Sequence, residues 1–194
     1  MKKLFILLTL LSISTFLSAQ EEKSKEPIKP ALLVIDMQNQ FLPMMDQQGK
    51  DFTFMVINAY IDGFRSAGLP IVRIYHTNPQ MGPKPDTPEF EFPEEIHIRP
   101  DDPKVIKTYA DGFTKTELDQ VLHDLDVNTL FLCGLSATGC VISTYIGAKN
   151  HDFKAFLIKD GMLSPKKNYT EQIETIFDAV GYEAVEVMLQ SVGN

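Results

Sequence analysis

The chain reads as a three-layer, doubly wound α/β fold, with a mainly parallel sheet of about six strands covered by helices on both faces. Three observations predict it. Short apolar runs alternate with stretches of helical periodicity, as in successive β-α-β units. The first run, Ala31 to Ile35, is apolar at every position, which suits a strand buried on both faces of a sheet. Asp36 and Lys107 stand at the ends of expected strands, at the carboxyl edge where such folds bind ligands.

After Asp36 a helix is expected from about Phe52 to Ser66, because Phe54, Ile57, Ile61 and Phe64 recur at helical spacing. Gly68 suits its C-cap, Pro70 blocks continuation, and Pro70 to Tyr75 forms the next strand. Thr77 to Pro103 carries seven of the twelve prolines and little periodicity, which marks a lid, a binding loop or an assembly surface. Val105-Ile106 leads a short strand into Lys107. Thr114-Lys115-Thr116-Glu117 matches a capping box, and Leu118, Val121, Leu122 and Leu125 give the following helix an apolar stripe. Thr129 to Cys133 reads as a strand, Cys140 to Lys149 as a helix and Phe153 to Ile158 as a strand. Tyr169 to Val180 then reads as a helix and Glu183 to Val187 as a last short strand.

Met1-Lys2-Lys3 followed by an apolar run, with Leu17-Ser18-Ala19 before a cut, reads as a signal peptide over residues 1–19. The run falls short of the ~20 residues that span a bilayer, so no stable membrane anchor is expected after cleavage. Residues 20–30 form a polar leader and residues 31–194 one domain, placed in the periplasm or outside the cell. The formal net charge is -8, and it grows more negative once Lys2 and Lys3 leave. Such an acidic chain lacks the basic footprint that nucleic acid requires. Only Cys133 and Cys140 are present, so the chain is not a disulfide framework, and an exported thiol needs a reason.

Cys140 stands where a strand ends and a helix is expected, a place that can aim a thiol at a ligand. An ordinary thiol near ~8.5 and an ordinary aspartate near ~3.9 differ by roughly 6 kcal/mol against proton transfer. Asp36 therefore needs help to serve as base for Cys140. Burial would raise Asp36, while Lys107 and a helix N-terminus would favour the thiolate, and the three should titrate as one unit.

Leu33-Val34-Ile35-Asp36-Met37-Gln38-Asn39-Gln40-Phe41, then Lys107 six residues before Phe113, then Gly134 six before Cys140, resemble the isochorismatase-like cysteine hydrolase superfamily. The resemblance runs from about Ala31 to Val187. It implies an Asp36–Lys107–Cys140 triad, a non-proline cis peptide in the loop Ser136-Ala137, and an oxyanion hole from backbone N–H groups near Ala137 and Cys140. It places Phe41 and Phe113 near the substrate, and His76, after its strand, is a further pocket candidate. It also implies a homo-oligomer, a dimer or tetramer. Gln40 stands where many members carry a second aspartate, and Ala137 where many carry threonine. Nicotinamidases of this superfamily bind a metal through Asp-x-His with a further histidine. Here Ile74 lies two residues before His76 and the next histidine is His97, so neither a catalytic metal nor another cofactor is expected. His97, His123 and His151 read as surface residues.

The expected function is an exported cysteine hydrolase cleaving a small amide, carbamoyl or ureido C–N bond of a small-molecule substrate through a thioester. Two alternatives stay open. One is an isochorismatase-type vinyl-ether hydrolase in which Asp36 donates a proton; the other is a catalytically idle binding protein on the same fold.

Overall fold

Strand β1, Pro30–Ile35, is buried at every residue, and its side chains alternate between two cores. Leu32 and Val34 enter one apolar cluster, while Ala31, Leu33 and Ile35 enter the other. This period-two division is why the run carries no polar position. A computed structural model describes residues 26–45 and 47–192, so the expected signal peptide lies outside the described residues.

Five parallel strands form the sheet in the order β3-β2-β1-β4-β5, with β2 at Ile71–His76, β3 at Lys104–Lys107, β4 at Thr129–Leu135 and β5 at Lys154–Leu163. Helix α1, Gln47–Ser66, packs Ile57, Ile61 and Phe64 on the face that receives Leu32 and Val34. Helices α2, Leu118–Asp124, and α3, Ile142–Asn150, cover the other face through Leu118, Leu122, Tyr145 and Ala148. Helix α4, Lys167–Ile176, joins them through Ile173. The end of the expected leader is tied down: Lys29 N–H donates to Asn128 Oδ1 at 3.0 Å, and Pro30 pairs with Thr129.

The expected last strand is a helix, α5, Tyr182–Val192, which returns to the α1 face through Val185 and Leu189. Glu183 to Val187 is too short to separate the two periods; the wider spacing of Tyr182, Val185 and Leu189 selects the helix. The sixth strand shrinks to one bridge, Ile158 with Val180, while β5 runs on to Leu163. The capping box does not form either. Thr114 Oγ1 donates to Asp111, and Thr116 Oγ1 instead accepts the Leu118 N–H at 3.2 Å, so the helix begins one turn later than that pattern implies.

The proline-rich stretch 77–103 is a docked wall. Phe90 and Phe92 are buried and stack on Tyr75 at 4.9 and 4.4 Å. Arg65 grips both oxygens of Asp102 at 3.0 and 3.1 Å. Asn39 N–H and Gln40 N–H donate to the carbonyls of Glu91 and Glu89, which fixes the wall to the turn after β1.

Candidate active site

Every expected triad residue lies at the carboxyl edge of the sheet, carried there by a different strand. Asp36 follows β1 with φ 52°, a left-handed conformation that a short polar side chain tolerates. Its N–H donates to Ile74 O at 2.8 Å, which anchors the turn to β2. Gly134 makes room on the other side. It has φ 118°, and a Cβ there would fall 2.1 Å from Ile35 O, so only glycine lets β4 pass this close to the end of β1.

Lys107 is 1 % exposed, because the alternation of edge strand β3 turns it inward with Val105. A buried ammonium needs all three N–H groups satisfied. Nζ donates to Asp36 Oδ2 at 2.7 Å and to Tyr109 O at 3.3 Å, and lies 3.3 Å from His76 Nδ1. Asp36 itself is 2 % exposed and its Oδ1 has no hydrogen-bond partner. Burial raises its carboxyl above the usual range, outweighing the pull of Lys107.

The catalytic thiol candidate sits in a turn, Ala137–Val141, broken by the backbone of Gly139 at φ -130°, ψ -107°. Gly139 and Val141 N–H both donate to Ser136 O, at 2.9 and 3.1 Å, which closes the turn around Cys140. The cis bond lies between Leu135 and Ser136, one residue earlier than the resemblance implies; without a proline, no residue type marks which bond is cis. Helix α3 starts at Ile142, so Cys140 precedes it rather than opening it. Its thiol is pushed up to about 12 by burial and then by Asp36, with Lys107 opposing both. Lys107 favours the thiolate as expected, and desolvation of the sulfur anion outweighs that one cation. Cys133 is fully buried, its thiol donating to Leu33 O at 3.5 Å, and burial alone raises it.

His76 belongs to this cluster. Burial and then Lys107 hold its imidazole below the ordinary value, so it stays neutral. Asp36, His76 and Cys140 each bring one atom able to ligate a metal within 4.8 Å of the others. Gln38, quoted in the sequence motif without a role, is what sets His76 in place. Its amide donates to His76 O at 3.0 Å and accepts His76 N–H at 2.8 Å, extending the β1–β2 pairing past the end of β1. Nothing local signals this role, since Gln38 stands in the largely polar run Asp36-Met37-Gln38-Asn39-Gln40 and its burial emerges only in the fold.

Phe41 lies 6.2 Å from the His76 ring and is half-buried, so it borders the site. Phe113 is 5 % exposed and stacks on His151 at 4.7 Å with Phe153 behind, in the apolar cluster against which Cys140 also packs. Phe113 and His151 thus make one apolar stack that neither residue announced by itself. His97 lies elsewhere on the surface, paired with Asp62 at 3.2 Å.

A parallel sheet whose carboxyl edge gathers a thiol, a carboxylate and a buried ammonium defines an α/β protein with a cysteine-centred ionisable cluster. The isochorismatase domain model matches residues 30–183, and the chain belongs to the isochorismatase family. Streptothricin hydrolase from Streptomyces noursei is 29% identical over 132 residues, 66% of this chain. The matched stretch spans about half of that relative, 52% of its length. Among solved structures, an isochorismatase-like hydrolase from Alkaliphilus metalliredigens is 26% identical with a TM-score of 0.71, covering 79% of this chain and 86% of that one. N-carbamoylsarcosine amidase from Thermoplasma acidophilum is 25% identical with a TM-score of 0.68, covering 79% and 95%.

Proposed function

We propose that the chain is an exported cysteine hydrolase that cleaves a small amide, carbamoyl or ureido C–N bond through a thioester on Cys140. The observation that carries this reading is the incomplete ion pair: a buried Asp36 joined to Lys107 at 2.7 Å, with its second oxygen unpartnered in the cluster that holds the thiol. The hydrolase and amidase names of two relatives support the reaction class. Export rests on the N-terminal segment alone.

Moving the proton from Cys140 to Asp36 leaves the net charge of the three groups unchanged. Lys107 then neutralises a thiolate in place of a carboxylate, so burial disfavours both states and the gap expected in water narrows. The thiolate attacks the carbonyl carbon, and backbone N–H groups near Ala137 and Cys140 hold the oxyanion. Collapse breaks the C–N bond as Asp36 returns its proton to the departing nitrogen. Water, deprotonated by Asp36, then attacks the thioester and restores the thiol.

The test is quenched turnover on a panel of small amides, ureides and carbamoyl compounds, with mass analysis of the peptide containing Cys140. An acyl adduct on Cys140 that is lost in Cys140→Ala is the expected result. The raised Asp36 carboxyl also suits a proton donor to a vinyl ether. Turnover of a vinyl ether by Cys140→Ser, without any adduct in the wild type, would replace the amidohydrolase reading.

A further inference from the structure

The cluster around Cys140 has a second chemistry that hydrolysis does not use. Asp36, His76 and Cys140 offer a carboxylate oxygen, an imidazole nitrogen and a sulfur, all within 4.8 Å of one another. Around a tetrahedral zinc these donors would stand about 3.4–3.8 Å apart, given metal–ligand distances of ~2.0–2.3 Å. To reach that spacing the donor atoms would close by up to about 1.4 Å. One donor is already waiting, because Asp36 Oδ1 is buried and unpartnered.

We propose that this cluster captures a thiophilic divalent cation, zinc or its like, and that capture reversibly shuts the enzyme off. The donor set is thiolate, imidazole and one carboxylate, which favours zinc, cobalt and cadmium over magnesium and calcium. Binding forms an S–metal bond at Cys140, releases the thiol proton to solvent and leaves the oxidation state of every atom unchanged. The sulfur that would attack substrate is then occupied. The site is an inhibitory one, distinct from the Asp-x-His-type set that Ile74 breaks.

Lys107 plays two parts. It contacts Asp36 Oδ2 and approaches His76 Nδ1, orienting two ligands from behind as outer-shell partners do. Its positive charge also repels a dication, which keeps the capture weak enough to reverse. Removing that charge tightens binding, because a full charge beside a dication in a buried site outweighs the loss of one orienting contact.

The inference rests on the hydrolase reading only for the word inhibitory; the metal site is tested without substrate. Cobalt(II) added to the full chain should give thiolate–cobalt charge-transfer absorption that saturates at one equivalent. Cys140→Ala should lose it and Cys133→Ala should keep it. His76→Ala should bind at least tenfold more weakly, and Lys107→Met at least tenfold more tightly. Zinc should protect Cys140 from iodoacetamide in the wild type, and magnesium should not. Absorption that persists in Cys140→Ala, equal zinc protection in wild type and His76→Ala, or no saturable binding overturns the proposal. An acyl-enzyme with no cobalt site leaves the hydrolase and removes this inference. A cobalt site with no acyl-enzyme does the reverse.

Discussion

Two ion pairs bury a carboxylate at this sheet, and they are finished differently. Asp102 receives both terminal nitrogens of Arg65 and the N–H of Arg99 at 2.6 Å, while its backbone carbonyl takes Arg73 Nε at 2.9 Å. Asp36 receives one ammonium and leaves Oδ1 buried with no partner. The first arrangement pins the proline-rich wall to α1 and β2. The second leaves a desolvated lone pair, a cost that stability alone gives no reason to keep. A carboxylate that only holds a loop has both oxygens hydrogen-bonded; one with an open oxygen beside a thiol is poised to take a proton.

The sharpest way to break this contrast is to remove the groups on the unfinished side. Cys140→Ala should lower turnover by ~10³-fold or more, the scale of losing a nucleophile, with covalent labelling by iodoacetamide lost. Cys133→Ala should keep both. Asp36→Asn keeps the shape and removes the proton acceptor, and should lower turnover by at least the ~10²-fold of a lost general base. If Cys133 is the labelled and essential thiol, or Asp36→Asn runs at the wild-type rate, the contrast between the two pairs loses its functional meaning.

The finished pair should answer in stability instead. Asp102→Asn strands part of the Arg65 fork, which is 20% exposed, and should destabilise by about 2 kcal/mol. Urea unfolding measures it. Turnover per folded molecule should stay within a few-fold of wild type. A loss of turnover like that of Asp36→Asn, with an unchanged unfolding midpoint, would mean the wall at 77–103 contributes to chemistry.

The two pairs also differ in how far the sequence revealed them. Asp36 and Lys107 were legible at the ends of short apolar runs and Cys140 in the turn after another, and the spacing that carries the family resemblance joined them into one site. The Asp102 pair joins residues 37 apart through a stretch with no periodicity, so nothing local foretold it. Gln38 stands among polar residues, and its partners are the backbone groups of His76, which leave no side-chain signature. The helix at Tyr182–Val192 was missed because Glu183 to Val187, read alone, is too short to distinguish the two periods. Phe113 was placed near the substrate by resemblance alone, and its stacking on the His151 ring left no local signal in the sequence.

A subtler test separates the two cysteines by pH. The alkylation rate of Cys140 in the free protein should climb about tenfold per unit above neutrality with no plateau near 9, since the thiol is pushed up to about 12. Lys107→Met should slow alkylation further, because removing the cation disfavours the thiolate. A plateau below pH 8 would mean a thiolate at rest and would contradict the burial argument.

The smallest effect lies in stability at high pH. Cys140 has an ordinary value of 9.0 and is pushed up to about 12 in the folded chain. Between those values the folded protein holds a proton that the unfolded chain has lost. Its contribution to stability is therefore full below pH 9 and fades as pH rises through that window. The slope is about 1.4 kcal/mol per pH unit for one such thiol. Cys133 is raised by burial in the same direction, so the wild type should lose the contribution of two thiols and Cys140→Ala that of one. Urea midpoints at pH 8 and pH 10 measure the difference, which should be about 1.4 kcal/mol less loss in the variant. Identical losses would place the Cys140 thiol in water, outside the buried cluster that gives Asp36 its role.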